Sequence, residues 1–268
     1  MADEKPAATT QPAPARKAEG RKPDGRMRAF RGNSFDAYFE HGMRDFPWPA
    51  RAFMGIACSA CWVWTQLRWR WTIEDDHKLV AESRPRVIVM NHCSMLDPVV
   101  VVVHLWLHGQ RVRAVYKDEF NKVKFLTWAI SRFGGIPVVR GTADMKSIRR
   151  VRAALERGES VLVFPQGTRV KNDQEWADTP VHGGYALMAS LGKAEVQPMA
   201  IVGAADITPR GSHVHHFRRV WLKVGDPVHF EDLGVKGRKA QVAAMEDAAW
   251  KSVEALCQEL RQEHPGKW

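Results

Sequence analysis

From about residue 84 onward, short apolar runs alternate with stretches whose apolar residues recur every three or four positions. Residues 86–90 read Arg-Val-Ile-Val-Met and predict a buried strand; 112–116, 136–139, 160–164, 195–202 and 220–224 read as further strands. Four stretches between them and one after the last are suited to helices. Residues 98–107 are apolar and end before Gly109, and 121–133 and 182–191 read as helices too. Residues 145–157 place Ile148, Val151, Ala154 and Leu155 at helical spacing before Gly158. Residues 240–260 put Val242, Met245, Ala249, Val253, Leu256 and Leu260 on one side. Strands alternating with helices predict an α/β fold, a mixed but largely parallel sheet flanked by helices.

The first 72 residues follow no such alternation. Residues 1–32 are rich in Ala, Pro, Lys and Arg, with almost no large apolar side chain before Met27 and Phe30. Such a segment buries too little surface to offset its ordering entropy and reads as a disordered basic tail. A short amphipathic helix follows, capped by Asn33 or Ser34, with Phe35, Tyr38, Phe39, Met43 and Phe46 as its apolar side, until Pro47 and Pro49 break it. Residues 52–67 are nearly uncharged and carry Phe53, Met54, Ile56, Trp62, Val63, Trp64 and Leu67. As a helix this stretch reaches only about 24 Å, against a hydrocarbon core of about 30 Å. It is a poor single span, yet Trp48 and Arg51 precede it and Leu67-Arg68-Trp69-Arg70-Trp71 follows it. Indole and guanidinium groups both favour the headgroup level, so 33–72 is expected to be a helical membrane-interface anchor, with a buried core helix as the competing reading. Residues 73–268 then form the α/β domain.

Composition narrows the partners. A chain of 268 residues with 45% apolar residues builds one good-sized domain plus appendages. A net charge of +10 and a pI near 9.7 point to an anionic partner surface: nucleic acid, anionic lipid or a phosphorylated small molecule. The interleaved Trp and Arg also suit stacking on single-stranded nucleic acid, but no RNA-binding signature accompanies them and the neighbouring run is apolar, so nucleic acid is not expected. The four Cys (Cys58, Cys61, Cys93, Cys257) lack a secreted-type framework, and no second pair or nearby His completes a metal site around Cys58-x-x-Cys61. Small buried helix residues are the better reading of that pair, in a reducing, cytosolic-facing environment. The N-terminus shows no apolar h-region of a cleavable signal peptide.

Two segments carry candidate chemistry. Asn91-His92-Cys93-Ser94-Met95-Leu96-Asp97 follows a buried strand, which sets His92 at a strand's carboxyl end, where open α/β sheets hold ligands. In a straight helix, side chains five apart point about 140° from one another, so His92 and Asp97 meet only if the chain turns between them. Asp97 then holds one imidazole nitrogen and leaves the other to accept a proton from a hydroxyl. Ser94-x-x-Asp97 ahead of an apolar run is equally a capping signature, and Cys93 reads as packing. The second segment, Phe164-Pro165-Gln166-Gly167-Thr168-Arg169, leaves the 160–164 strand as a loop. Gly167 permits close backbone approach, and Arg169 offers a planar fork suited to a phosphate.

These residues carry a resemblance. From about residue 84 to 229 the chain resembles the glycerolipid acyltransferase family that includes lysophosphatidic acid acyltransferases. The family's N-H-x-x-x-x-D is matched by Asn91, His92 and Asp97. Its G-x-I-x-x-x-R is matched by Gly134 or Gly135, Ile136 and Arg140, after an upstream Lys117-x-Glu119. F-P-E-G-T-R is matched by Phe164, Pro165, Gly167, Thr168 and Arg169, and an apolar strand with a central Pro by 196–201. The resemblance implies direct acyl transfer from acyl-CoA or acyl carrier protein to the free hydroxyl of a lysophospholipid, most simply 1-acylglycerol-3-phosphate giving phosphatidic acid. His92 would be general base, oriented by Asp97. Asn91, Lys117, Arg140, Gln166, Gly167, Thr168 and Arg169 would bind substrate, the cations holding the phosphate. It implies no metal or bound cofactor, and a monotopic or peripheral place on the cytoplasmic face of the membrane. Two departures stand out: Gln166 replaces the family Glu, and Val181-His182-Gly183-Gly184 lacks the Lys of the expected F-K-x-G. They open two alternatives, another lysolipid or amino-lipid acceptor, or a non-catalytic lipid-binding homologue.

Overall fold

The computed structural model describes residues 27–28, 33–139, 144–209, 211–212 and 214–268. Nearly all of the expected basic tail, and Arg140, lie outside them. Seven strands form one sheet: β1 (Thr72–Glu74), β2 (Arg86–Met90), β3 (Val112–Lys117), β4 (Ile136–Val138), β5 (Ser160–Val163), β6 (Glu195–Val202) and β7 (Trp221–Val224), in the order β1-β7-β6-β2-β5-β3-β4. All neighbouring pairs are parallel except β6 with β7. The mixed, largely parallel sheet expected from the sequence is therefore present. Its five parallel strands end on one edge, hereafter the rim, while β7 and β1 run the other way.

Alternation within β2 builds a core on each face of the sheet. Val87 and Val89 point into one cluster, with the helices α6 (Met145–Glu156), α8 (Gly184–Gly192) and α9 (Arg238–Glu263). Ile88 and Met90 point into the other, where α4 (Leu96–Leu107) supplies Val100, Val101, Val103 and Leu105. Burial on both faces explains the unbroken apolar runs that made these strands legible. The short elements were not anticipated: β1, α3 (His77–Val80) and α7 (Asp173–Asp178) are too brief to carry a period.

The N-terminal helices pack onto this body rather than stand apart. Ser34 caps α1 (Phe35–Glu40) by accepting from the Ala37 N–H at 3.3 Å. The helix stops at Glu40 instead of running to Pro47, and Met43 and Phe46 rejoin Tyr38 through a turn to form a third buried cluster. Phe35, expected on the apolar side, is exposed. A longer helix than expected, α2 (Trp48–Trp69), follows and packs on α4. Ala50, Met54, Cys58 and Thr65 form its buried stripe, while Phe53, Ile56, Val63, Trp64 and Leu67 lie exposed. One face of this helix is thus buried as the core reading expects, and the other presents apolar side chains outward. No helix among the described residues is long and apolar enough to cross a membrane. Cys58 and Cys61 are packing residues; burial pushes the Cys58 thiol up to about 12 and raises Cys61 as well.

One buried ion pair ties the N-terminal segment to the sheet. Arg113 of β3 meets Glu159, just before β5, at 2.6 Å, and both side chains are almost wholly buried. The guanidinium also donates to the carbonyls of Tyr38, His41 and Gly134, and Glu159 accepts the Met43 N–H. Gly134 fits this crowding because its φ is +74° and a Cβ there would meet the Met43 sulfur at 2.5 Å.

Candidate active site on the rim

Residues 91–95 leave β2 as a loop and α4 starts at Leu96, so the chain turns between His92 and Asp97 as their pairing requires. His92 Nδ1 lies 2.8 Å from Asp97 Oδ2. That same oxygen accepts the backbone N–H groups of Cys93 at 2.7 Å and Ser94 at 2.8 Å. One carboxylate therefore both closes the start of α4 and orients an imidazole. A carboxylate at Nδ1 fixes the proton there and turns Nε2 into the acceptor. Asp97 is fully buried, and its Oδ1 has no hydrogen-bond partner among the described residues. The His92 side chain keeps 16% exposure, so one edge of its ring is open to solvent.

The second segment arrives beside the first. Val89 pairs with Val163 in adjacent parallel strands, so the loops after β2 and β5 leave the rim at the same height. The Phe164 ring lies 4.3 Å from the His92 ring, centroid to centroid. Gln166 Oε1 accepts the His92 backbone N–H at 3.1 Å, and the Val170 N–H donates to the His92 carbonyl at 2.7 Å. His92 is thus held through both its ring and its backbone. Gly167 sits at φ +57°, the left-handed region that a turn off the strand demands of it. Thr168 and Arg169 face solvent, and the Arg169 guanidinium has no partner among the described residues.

Two expectations need correction. Asn91 does not face the site: it is 2% exposed, its amide donates to the Ile201 carbonyl at 2.9 Å, and its Oδ1 accepts the Ile201 N–H at 2.8 Å. It fastens β2 to β6 beneath His92. Gln166 is likewise buried, at 3%, with its acceptor turned to the His92 backbone instead of outward. An amide serves there as well as a carboxylate, because only the oxygen is used. Cys93 is fully buried, and burial raises its thiol well above the ordinary range, so it offers no nucleophile.

Lys117 ends β3, two strands from β2, roughly 10 Å away across the rim. It lines a cleft of about 390 Å³ with Asp118, Glu119, Asn121, Lys122 and Val138. The structure brings His92, Asp97 and the 164–170 loop into contact, and leaves Lys117 in this neighbouring cleft. Phe164 was part of the recognised motif but had no role assigned; its place at the end of a strand paired with β2 was the available signal. Metal-ligating side chains gather in two clusters among the described residues, Asp76/His104/His108 and Glu74/Glu263/His264. The first lies toward the edge opposite the rim, at the far end of α4; the second lies beside β7, where Glu74 pairs with Lys223 and Lys223 with Ala200, near rim height.

A family model described as Acyltransferase matches residues 71–202 of the chain. Among its relatives is a chloroplastic 1-acyl-sn-glycerol-3-phosphate acyltransferase of Arabidopsis thaliana, 28% identical over 177 residues, a match covering 65% of this chain and 46% of that protein. The 1-acyl-sn-glycerol-3-phosphate acyltransferase of Bacillus subtilis (strain 168) is 26% identical over 176 residues, covering 66% of this chain and 83% of that one. The match thus spans a little under half the length of the plant relative. The crystal structure of the 1-acyl-sn-glycerophosphate (LPA) acyltransferase of Thermotoga maritima shares the fold, with a TM-score of 0.50 at 20% identity over 69% of this chain and 72% of that one.

Proposed function

We propose that this protein transfers a fatty acyl chain from a thioester, acyl-CoA or acyl carrier protein, to the free hydroxyl of 1-acylglycerol-3-phosphate. The observation that carries this reading is the His92 Nδ1 to Asp97 Oδ2 contact of 2.8 Å at a strand's carboxyl end. In this reading His92 Nε2 takes the proton of the acceptor hydroxyl as its oxygen attacks the thioester carbonyl. Asp97 stabilises the imidazolium that forms, and the proton passes on to the leaving thiolate. Arg169, unpartnered and adjacent to the Val170 that binds the His92 backbone, is the cation best placed to receive the phosphate, with Lys117 further along the rim.

The test is thiol release by the purified chain with 1-acylglycerol-3-phosphate, set beside lysolipids and an amino-lipid lacking that phosphate. Arg169→Ala raises KM for the phosphate acceptor by about 10- to 100-fold with little change in kcat, the value of one charge-assisted contact in ground and transition state alike. Turnover confined to acceptors without a phosphate removes the role of Arg169, and no release with any acceptor removes the acyltransfer reading itself. The Val181-His182 departure favours a different lysolipid as the second reading, which the same panel decides.

A lipid substrate calls for an interface, and the rim offers one. The loops leaving the parallel strands there expose Met95, Val123, Val139, Val181 and Phe217. Thr72 pairs with Trp221, which pairs with Val202, so the Trp- and Arg-rich end of α2 reaches the same edge. Arg68 lies over the Trp64 and Phe217 rings at 5.7 and 4.0 Å. In the proposal this edge and the outer face of α2 rest on the cytoplasmic side of a membrane, with basic residues adding attraction to anionic lipid. Ile56→Asp combined with Leu67→Asp is expected to weaken co-sedimentation with anionic vesicles on the order of tenfold or more, since both side chains are exposed and only lipid contact is lost. Unchanged sedimentation would show that α2 is not the contact.

A further inference from the structure

At the edge opposite the rim, α4 carries His104 and ends on His108 as its C-cap one turn further on, and the two rings lie 4.4 Å from one another. The His108 Nδ1 donates to the His104 carbonyl at 2.8 Å, which leaves its Nε2 as a lone-pair donor. His104 is 8% exposed, and its Nε2 is buried with no hydrogen-bond partner among the described residues. The nearest charged group is Asp76, at the start of α3, with Oδ2 3.8 Å from that nitrogen. This is too long for a hydrogen bond, so the contact satisfies neither group. One ligand atom from each of the three residues falls within 4.8 Å of the others. A tetrahedral ion with bonds of about 2.0–2.1 Å holds its ligands roughly 3.4 Å apart, so a small inward shift of side chains closes the set.

We propose that Asp76, His104 and His108 bind a divalent transition-metal ion of the zinc class. Two imidazoles and one carboxylate are an N/O donor set that suits zinc, cobalt or nickel and not calcium or magnesium. The ion would not take part in acyl transfer, because seven residues of α4, about 10 Å, separate His104 from Asp97. Its effect is to join α3 to α4 and so brace the helix whose other end holds the base. The second cluster, Glu74/Glu263/His264, is already engaged by Lys223, which lies within 3.5 Å of both Glu74 and Glu263, and serves as the control.

The test is calorimetric titration of the full chain, stripped with a chelator, with zinc chloride. One ion per chain is expected to bind saturably, and at a hundredfold excess over Kd the unfolding temperature rises by about 5–10 °C. His108→Ala and Asp76→Ala, both at exposed or half-exposed positions, each weaken binding by about tenfold or more, while His264→Ala binds as the parent does. Absence of saturable binding, or parental affinity in either the His108 or the Asp76 variant, overturns the assignment.

Discussion

His92→Ala lowers the rate of thiol release by about 10²- to 10⁴-fold, the usual worth of a positioned general base, and leaves the unfolding temperature close to that of the parent. The chemical loss is large because Nε2 is the ring atom left free once Asp97 holds Nδ1. The structural loss is small because the ring edge is exposed and the backbone bonds to Gln166 and Val170 do not involve the side chain. Both rates are measured on folded protein at saturating donor and acceptor. Equal release by the two proteins would end the case for His92 as base, whatever the acceptor.

Glu159→Ala is expected to cost about 3–5 kcal/mol of stability, because it strands the Arg113 guanidinium in the interior without its counter-charge. Burial already works against that charge, and Glu159 is what opposes the burial. Against a total of about 5–15 kcal/mol for a natural domain, this is a large fraction, and it reads as a drop on the order of 10 °C in unfolding temperature. The double variant Arg113→Met with Glu159→Leu recovers much of the loss, since two apolar side chains of similar bulk need no counter-charge. A double variant no more stable than Glu159→Ala alone would mean that the carbonyl bonds from Arg113 to Tyr38, His41 and Gly134, not the ion pair, hold the N-terminal segment.

The sequence showed these features unevenly, and the reasons are physical. The strands at 86–90, 112–117, 160–163 and 195–202 lie within a residue or so of where their apolar runs placed them, because each is sheltered by helices on both faces. The pairing of His92 with Asp97 was legible because both sit in one seven-residue segment at a strand end. The work of Asn91 was not, since its partner Ile201 lies 110 positions away and no local pattern reports it. The same holds for Arg113 and Glu159, 46 positions apart, where the visible sign was a charged residue inside an apolar run. His104 and His108 were read as part of an apolar helix, and Asp76 reaches them only through the fold. Helix α1 ended early because the apolar spacing that suggested a longer helix is also satisfied by a turn that returns Met43 and Phe46 to Tyr38.

Helix α2 presents apolar side chains to the core on one side and outward on the other. Trimming the chain at its front is therefore no way to ask what the outward side does. Deletion through residue 72 would uncover α4, take Trp71 out of the interior and remove the first residue of β1, so a failure to bind vesicles could not be told from a failure to fold. Only exchanges confined to the outward positions separate adhesion from integrity.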